Sequence, residues 1–452
     1  MKKAGLPLIL LALLLPGLAG CAPHTQLAPE HPVTLTIWHV YGSQTISPLN
    51  DAIQEFNKTE GKERGIIVNV TSVTDSTAID EALLASARGE PGAAPLPDLF
   101  VAYPRIAEQI GTERLLDWHG YFQEEELELY LADFLAEGVF GDRLLMLPIA
   151  KSSELLFLNR TIFDRFSADT GVTVDALATF AGVFSACDRY YDWSGGQTMF
   201  QINDFYHYFV AAVDSLGGDF LKNGQPDTES APFAAAYEPM ARAAVYGGLC
   251  VQDGYASDRW KTGEIICNIG STAGILYLRD YVTRADNSTE AVETAVLAYP
   301  VFEGGAPVVV QRGGGLFAVK SADERKNEAA AIFAKWITQG EHNLAFATKS
   351  GYLPVTDAAY RTLFSDMRIV ENEKYRMLYE TIGSMQGEYR FCALPLYEGA
   401  GRVQNAFEEA VRSALSSARE AYVRRTAAGE DAAAVMDELV AAGLREIQNG
   451  SY

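Results

Sequence analysis

An α/β protein of more than one domain is what the sequence predicts, on three observations. Strand-like and helical segments alternate without a break over residues 33–102, the pattern that builds a parallel sheet with helices on its faces. The chain has 452 residues, and at roughly 150 residues per domain that leaves room for two or three cores. Its 48% hydrophobic and 21% charged residues, with 39 Gly and 18 Pro, make an ordinary globular balance. Wholesale disorder, a collagen-like repeat and a disulfide scaffold are thereby excluded.

Each element follows from local spacing. Val33 to Trp38 alternates apolar and polar residues as a strand does, and Ile46 to Lys58 places Ile46, Leu49, Ile53 and Phe56 at helical intervals. Ile66 to Val70 is β-branched and predicts a second strand, Ala78 to Arg88 a second helix, and Asp98 to Ala102 a third strand. Further short strands are expected at Leu144–Pro148, Glu154–Asn159, Ile265–Ile269, Val296–Tyr299 and Leu316–Val319. Long helical patterns cover Glu324–Gln339 and Val403–Arg424. The first of these follows Ser321-Ala322-Asp323-Glu324, which fits a capping box. In a parallel sheet, ligand groups sit in loops at the carboxyl ends of strands. That rule selects Trp38-His39-Val40-Tyr41, Tyr103, Lys151-Ser152-Ser153, Gly270-Ser271-Thr272 and Gln311-Arg312-Gly313-Gly314.

The amino end is a different kind of segment. Lys2 and Lys3 precede an apolar run from Leu6 to Ala19, shorter than the roughly 20 residues that span a bilayer and of the length of a secretory core. Residues 1–20 are therefore expected to be a signal. The run ends in Leu18-Ala19-Gly20-Cys21, which resembles the bacterial lipobox, with Cys21 as the lipidated residue. Residues 21–32, with Pro23, Pro29 and Pro32, suit a tether to the membrane. The expected location is extracytoplasmic, anchored to the cell membrane.

Chemistry is sparse. With 36 basic and 59 acidic side chains the formal charge is -23, so there is no cationic footprint for nucleic acid. Cys187, Cys250, Cys267 and Cys392 contain no C-x-x-C spacing, which argues against a zinc ribbon or thioredoxin-type site. Three disulfide pairings or four free thiols all remain open. No H-E-x-x-H, G-x-S-x-G or G-x-x-x-x-G-K-[ST] occurs. His24, His31, His39, His119, His207 and His342 are scattered, and Glu124-Glu125-Glu126 suits a solvated helix face. No catalytic residue, cofactor motif or metal-ligand set is assigned. An extracytoplasmic hydrolase is the rival, because two carboxylates far apart in sequence can still meet in a cleft.

Several segments together resemble the family 1 extracellular solute-binding proteins of ABC importers. They are Leu35 to His39, Glu55-Phe56-Asn57, Pro97 to Phe100 and Leu115 to Trp118, then Leu147 to Asn159 and Thr262 to Ile265. Ala329 to Ile337 followed by Gly351-Tyr352-Leu353-Pro354-Val355 is the strongest match, whereas Cys267 and Asn268 depart from the family pattern. The resemblance implies a two-lobed, periplasmic-binding-protein-like (type II) α/β fold with a hinge between the lobes. The expected lobes are 33–148 with 309–350, and 149–308 with 351–452, the chain crossing near 148–152, 308–313 and 349–354. It also implies a monomer that closes on a small solute and delivers it to ABC permease subunits.

Two solute classes follow from the resemblance. For a sugar, aromatic faces stack on the ring and short polar groups bond its hydroxyls, and Trp38, Tyr41, Tyr103, Trp193, Tyr206 and Trp260 are available. For glycerol 3-phosphate or a glycerophosphodiester, positions matching the family's binders are Ser152, Ser271, Gly313, Tyr352 and Arg402, with Ser153, Thr272 and Gly314 beside them. A guanidinium and hydroxyl donors suit a phosphate. Pro104 stands where those binders carry a ligand-bonding Glu, and Val73 or Thr74 where they carry a Tyr. These departures put the sugar class first.

Overall fold

The computed structural model describes residues 27–41, 47–72, 76–397 and 399–452. The signal, Cys21, residues 21–26 of the tether, Val73 and Thr74 lie outside them. Two sheets carry the architecture. In the first, Val33–His39 pairs in parallel with Ile66–Ser72 and with Leu99–Ala102, and Gly315–Ala318 adds antiparallel to Leu99–Ala102. Val33, Leu35 and Ile37 point inward, as the alternation predicts, onto a core with Phe56, Phe333 and Ile337. The helix Pro48–Lys58 starts on a Ser47 cap with Pro at its first turn and buries Leu49, Ile53 and Phe56.

The second sheet is mixed. Its order is Leu249–Cys250, Phe200–Ile202, Cys267–Ser271, Glu154–Asn159, Thr294–Leu297. Glu154–Asn159 runs antiparallel to both its neighbours. It is buried along its whole length, which explains why it reads as an apolar run without alternation. Three long helices, Ala231–Tyr246, Ala400–Ala427 and Ala432–Gln448, pack on one another beyond this sheet.

Local details differ from expectation where short-range chemistry competes. The helix Glu324–Thr338 is capped by Asp323, whose carboxylate accepts the Arg325 N–H, while Ser321 Oγ only accepts the Asp323 N–H. Asp is as good a cap as Ser, so the cap lies two residues past Ser321 while the helix starts at Glu324 as expected. The segment expected as a strand at Leu144–Pro148 forms only Arg143–Leu144 and a single bridge from Leu147 to Leu316. The four body cysteines are free thiols, with Cys187, Cys250 and Cys267 buried. Among the described residues no helix is long and apolar enough to cross a membrane.

The two cores overlap the expected lobe limits by a few residues. Val309 and Val310 pack in the core of the second sheet, and Val355 packs in the core of the first.

Candidate functional site

The antiparallel strands decide where the site lies. Gly315 pairs with Ala102 and Glu154 with Ser271, so these two strands start at the edges where the parallel strands end. Segments 150–153 and 311–314 thus reach the carboxyl edges of both sheets from the amino ends of their own strands. Three chain crossings meet there. Ser152 and Arg312 exchange N–H···O bonds of 2.8 and 2.7 Å, and Lys151 and Leu353 exchange bonds of 3.1 and 2.6 Å. Small residues allow this approach. A Cβ on Gly313 (φ +113°) would lie 3.0 Å from the Ala150 carbonyl oxygen, and one on Gly314 would lie 2.3 Å from that of Ala102.

Tyrosines line the junction. The Tyr41 ring meets Tyr352 edge-on at 4.7 Å between centroids and Phe346 at 5.4 Å. Burial first, then the phenols of Tyr41, Tyr103 and Tyr277, push the Tyr352 phenol well above its ordinary range, against the pull of Arg312. Burial also raises Tyr41, so both hydroxyls stay neutral and can donate and accept. The buried Tyr41 Oη, Thr272 Oγ1 and Arg312 Nε have no hydrogen-bond partner among the described residues, a cost of about 1–3 kcal/mol each unless something polar meets them.

His39 fixes the backbone of Tyr41. Its Nδ1 accepts the Tyr41 N–H at 3.1 Å and its Nε2 faces Asn50 Oδ1 at 2.8 Å, an arrangement only the neutral ring satisfies. Burial lowers its pKa to about 4, against the opposing Asn50 bond. The unfolded ring takes up its proton first, so this contribution is intact above pH 6.5 and is lost as pH falls through 4. The loss should total about 3 kcal/mol. Urea unfolding from pH 7.5 to 4 measures it, and His39→Gln should remove that part of the slope; an unchanged slope would show that His39 does not titrate this way.

Charge at the junction comes in pairs. Lys151 is fully buried, with Nζ 2.6 Å from Glu137 Oε2 and 3.1 Å from the Gly313 carbonyl oxygen. Glu137 Oε1 also accepts from Gln311 at 2.5 Å. Arg312 donates from Nη1 to Glu154 Oε1 at 2.9 Å, and the Tyr103 phenol lies close enough to act on its charge. Behind it, Glu154 lies 3.2 Å from His207 Nδ1, and His207 Nε2 lies 3.3 Å from Asp204. Arg105 bonds Asp80 at 2.8 Å and covers the Tyr103 ring at 4.8 Å. A cavity of about 40 Å³ lies among Tyr103, Arg105, Glu137, Arg312, Gly401 and Gln404.

The structure brings Tyr41, Tyr103, Ser152, Ser153, Thr272, Gly313, Gly314 and Tyr352 to this junction, with unequal freedom. Ser153 Oγ is committed to the Val310 carbonyl, and Ser271 Oγ accepts the Ala273 N–H that starts the turn Thr272–Tyr277. Trp38 packs in a core cluster with Ile79, Leu83 and Phe100. Trp260 and Tyr206 are core residues, and Trp193 packs against that core. Arg402 is exposed on the first turn of Ala400–Ala427, beside Gly401. Glu137, Glu154, Asp204, His207 and Tyr277 were not legible as site residues. The one available signal was Asp204-x-x-His207 at a helix start, where the Asp caps and the His faces inward.

A larger hollow of about 720 Å³ lies elsewhere, among Tyr191, Arg259, Arg284 and Arg419. Arg259 and Arg419 are held by backbone carbonyls and Arg284 by Glu290. Chemistry favours the junction, where polar atoms lack partners.

Two α/β units joined by adjacent crossings, with aromatic and polar groups of both gathered at the joint, define a two-lobed binding clamp. The sequence profile of the bacterial extracellular solute-binding proteins matches residues 51–371, and the chain belongs to that family. It is a binding protein, not an enzyme. No curated protein matches it. Among solved structures it is similar to the cyclic alpha-maltosyl-1,6-maltose binding protein of Arthrobacter globiformis, at 19% identity and TM-score 0.63, covering 93% of this chain and 100% of that one. Maltose-bound MalE3 of T. maritima is 17% identical with TM-score 0.65, over 92% and 99% of the two chains. UgpB of Mycobacterium tuberculosis, in complex with glycerophosphocholine, is 15% identical with TM-score 0.67, over 92% and 98%. At these identities the likeness is one of fold.

Proposed function

We propose that this chain captures a small sugar, or a sugar or polyol derivative, between its lobes and delivers it to the permease subunits of an ABC importer. The observation that carries the reading is the gathering of Tyr41, Tyr103, Tyr277 and Arg312 about Tyr352. Phenol rings offer flat apolar faces, and their hydroxyls, with Thr272, suit a ligand that is hydroxyl on its edges and apolar on its faces. In this reading the lobes are about 33–148 with 309–350 and 149–308 with 351–452, trading a few residues at the three crossings, and ligand contacts with both favour the closed form. Cys21 carries the lipid that keeps this monomer near its transporter. Ser152, Ser153, Ser271, Gly313 and Gly314 shape the floor of the cleft, with Trp38 behind it.

A glycerol 3-phosphate or glycerophosphodiester ligand is the second reading. It draws support from Arg402, exposed on the first turn of Ala400–Ala427, and from the glycerophosphocholine complex of a similar fold. A thermal-shift panel of maltose, maltotriose, mannotriose, glycerol 3-phosphate and glycerophosphocholine tests both. Ligand at about 100 times its Kd adds ~2.7 kcal/mol to the folded state, a rise of several degrees in Tm. The expected result is a shift with a neutral sugar and no product formed from it; release of product would overturn the binding reading.

A further inference from the structure

We propose that Arg312 is the solute-contacting cation of the cleft and that Glu154 positions it and sets its selectivity, favouring a neutral polyhydroxyl ligand over a phosphate. This inference rests on the solute-binding reading above. Arg312 lies in a candidate loop and Glu154 in a family-like segment, but no sequence motif gives either a role of its own. Both follow from the antiparallel strand that brings Glu154 to the edge where Arg312 crosses.

The placement is specific. Arg312 sits on a crossing, its backbone tied to Ser152 in both directions, so its Cα moves little relative to the hinge. Its side chain is 15% exposed and that of Glu154 only 4%. Glu154 is in turn held by His207, which Asp204 orients from the cap of the helix Phe205–Ser215. A guanidinium has five N–H donors in a rigid fork. Glu154 occupies part of that fork, and Nε is buried without a partner among the described residues. Arg312 also lines the cavity that Tyr103 and Gln404 line.

Charge then decides what the fork accepts. Arg312 is neutralised by Glu154, Arg105 by Asp80 and Lys151 by Glu137. Asp204 adds a further carboxylate close behind. An incoming phosphate therefore meets cations that carboxylates already hold, with His207 set between Glu154 and Asp204 and Arg402 standing exposed at the start of Ala400–Ala427, and carboxylates at close range oppose a phosphate. A sugar hydroxyl needs only a donor or an acceptor and pays no such penalty. The buried ion pair makes Arg312 a fixed donor without making the cleft cationic.

Glu154→Gln separates this from a purely structural role. The amide is nearly isosteric and keeps an oxygen for Arg312, but it leaves one positive charge unbalanced. Calorimetric titration with glycerol 3-phosphate should then show affinity raised by about tenfold or more over wild type, while maltotriose binding does not improve. The double variant Arg312→Gln/Glu154→Gln leaves no lone buried charge and so is expected to fold, as melting and circular dichroism would verify. It should lose the phosphate gain and bind maltotriose at least roughly tenfold more weakly than wild type. No gain for glycerol 3-phosphate in Glu154→Gln overturns the inference, as does maltotriose binding by the double variant at wild-type strength. A wild-type protein that binds no probe of the panel overturns the sugar reading instead. The Glu154→Gln comparison, which needs only glycerol 3-phosphate, still decides this inference.

Discussion

Glu137→Ala is expected to destabilise the folded chain by about 3–5 kcal/mol, because it strands a buried ammonium. Lys151 is completely buried where the chain passes between the sheets, and its charge is met by the Glu137 carboxylate and the Gly313 carbonyl alone among its described contacts. Taking a cation out of water is costly, and the pair persists only because both partners are present. Burial already lowers the pKa of Lys151, with Glu137 opposing. Without Glu137 the shift deepens and the folded state sheds the proton more readily than the unfolded chain. The unfolded chain then binds more protons, so the variant should regain stability as pH rises from 7 toward 10. Replacing both residues, Lys151→Met with Glu137→Gln, removes the charge altogether and should recover most of the loss, since buried pairs exchange well for apolar groups of similar volume. Urea unfolding of the three proteins at pH 7 and pH 9 measures this. A loss under about 1 kcal/mol in Glu137→Ala would mean that water reaches Lys151 and that the junction is looser than it looks.

The same junction shows what a sequence can and cannot disclose. The alternation from Val33 to Ser72 is legible because Val33–His39 and Ile66–Ser72 expose part of one face and the helix Pro48–Lys58 buries one stripe, whereas Leu99–Ala102, buried on both faces, reads only as a short apolar run. The loops Lys151-Ser152-Ser153 and Gln311-Arg312-Gly313-Gly314 are legible as candidates because small and polar residues cluster in them. Their true position depends on strand direction, which period does not encode. Glu154–Asn159 and Gly315–Ala318 run antiparallel to their neighbours, and only that reversal brings Glu154 to Arg312. His207 and Asp204 enter through a pairing 53 residues distant in sequence from Glu154, for which no local pattern exists. Conversely, Trp260 and Tyr206 are the kind of residue that stacks on sugars, yet both are sealed in the core. An aromatic side chain is equally useful to either environment, so type alone does not assign it.

Gly314→Ala is expected to disturb both stability and binding, through sterics alone. The position does not need a left-handed backbone; what it lacks is room. An added Cβ would lie 2.3 Å from the Ala102 carbonyl oxygen, 2.6 Å from its carbon and 3.2 Å from the Tyr103 nitrogen. All three are backbone atoms at the end of a strand whose pairing Gly315 shares through Ala102, so no side chain can rotate out of the way. The strand end must shift, carrying Tyr103 with it and moving Tyr103 away from Arg312. Overpacking of this kind costs about 1–3 kcal/mol, and the lost register at the junction should weaken sugar binding by roughly tenfold or more, equivalent to ~1.4 kcal/mol. Gly340→Ala is the matched control: it opens the helix Gly340–Ser350, and a Cβ there meets nothing within 4 Å. That substitution should leave both quantities within about 0.5 kcal/mol of wild type. Titration well below the melting temperature separates the two effects, because the variant is then fully folded and any fall in affinity reports geometry. Unchanged affinity in folded Gly314→Ala would place the solute away from Tyr103 and Arg312, toward Tyr41 and Tyr352 alone.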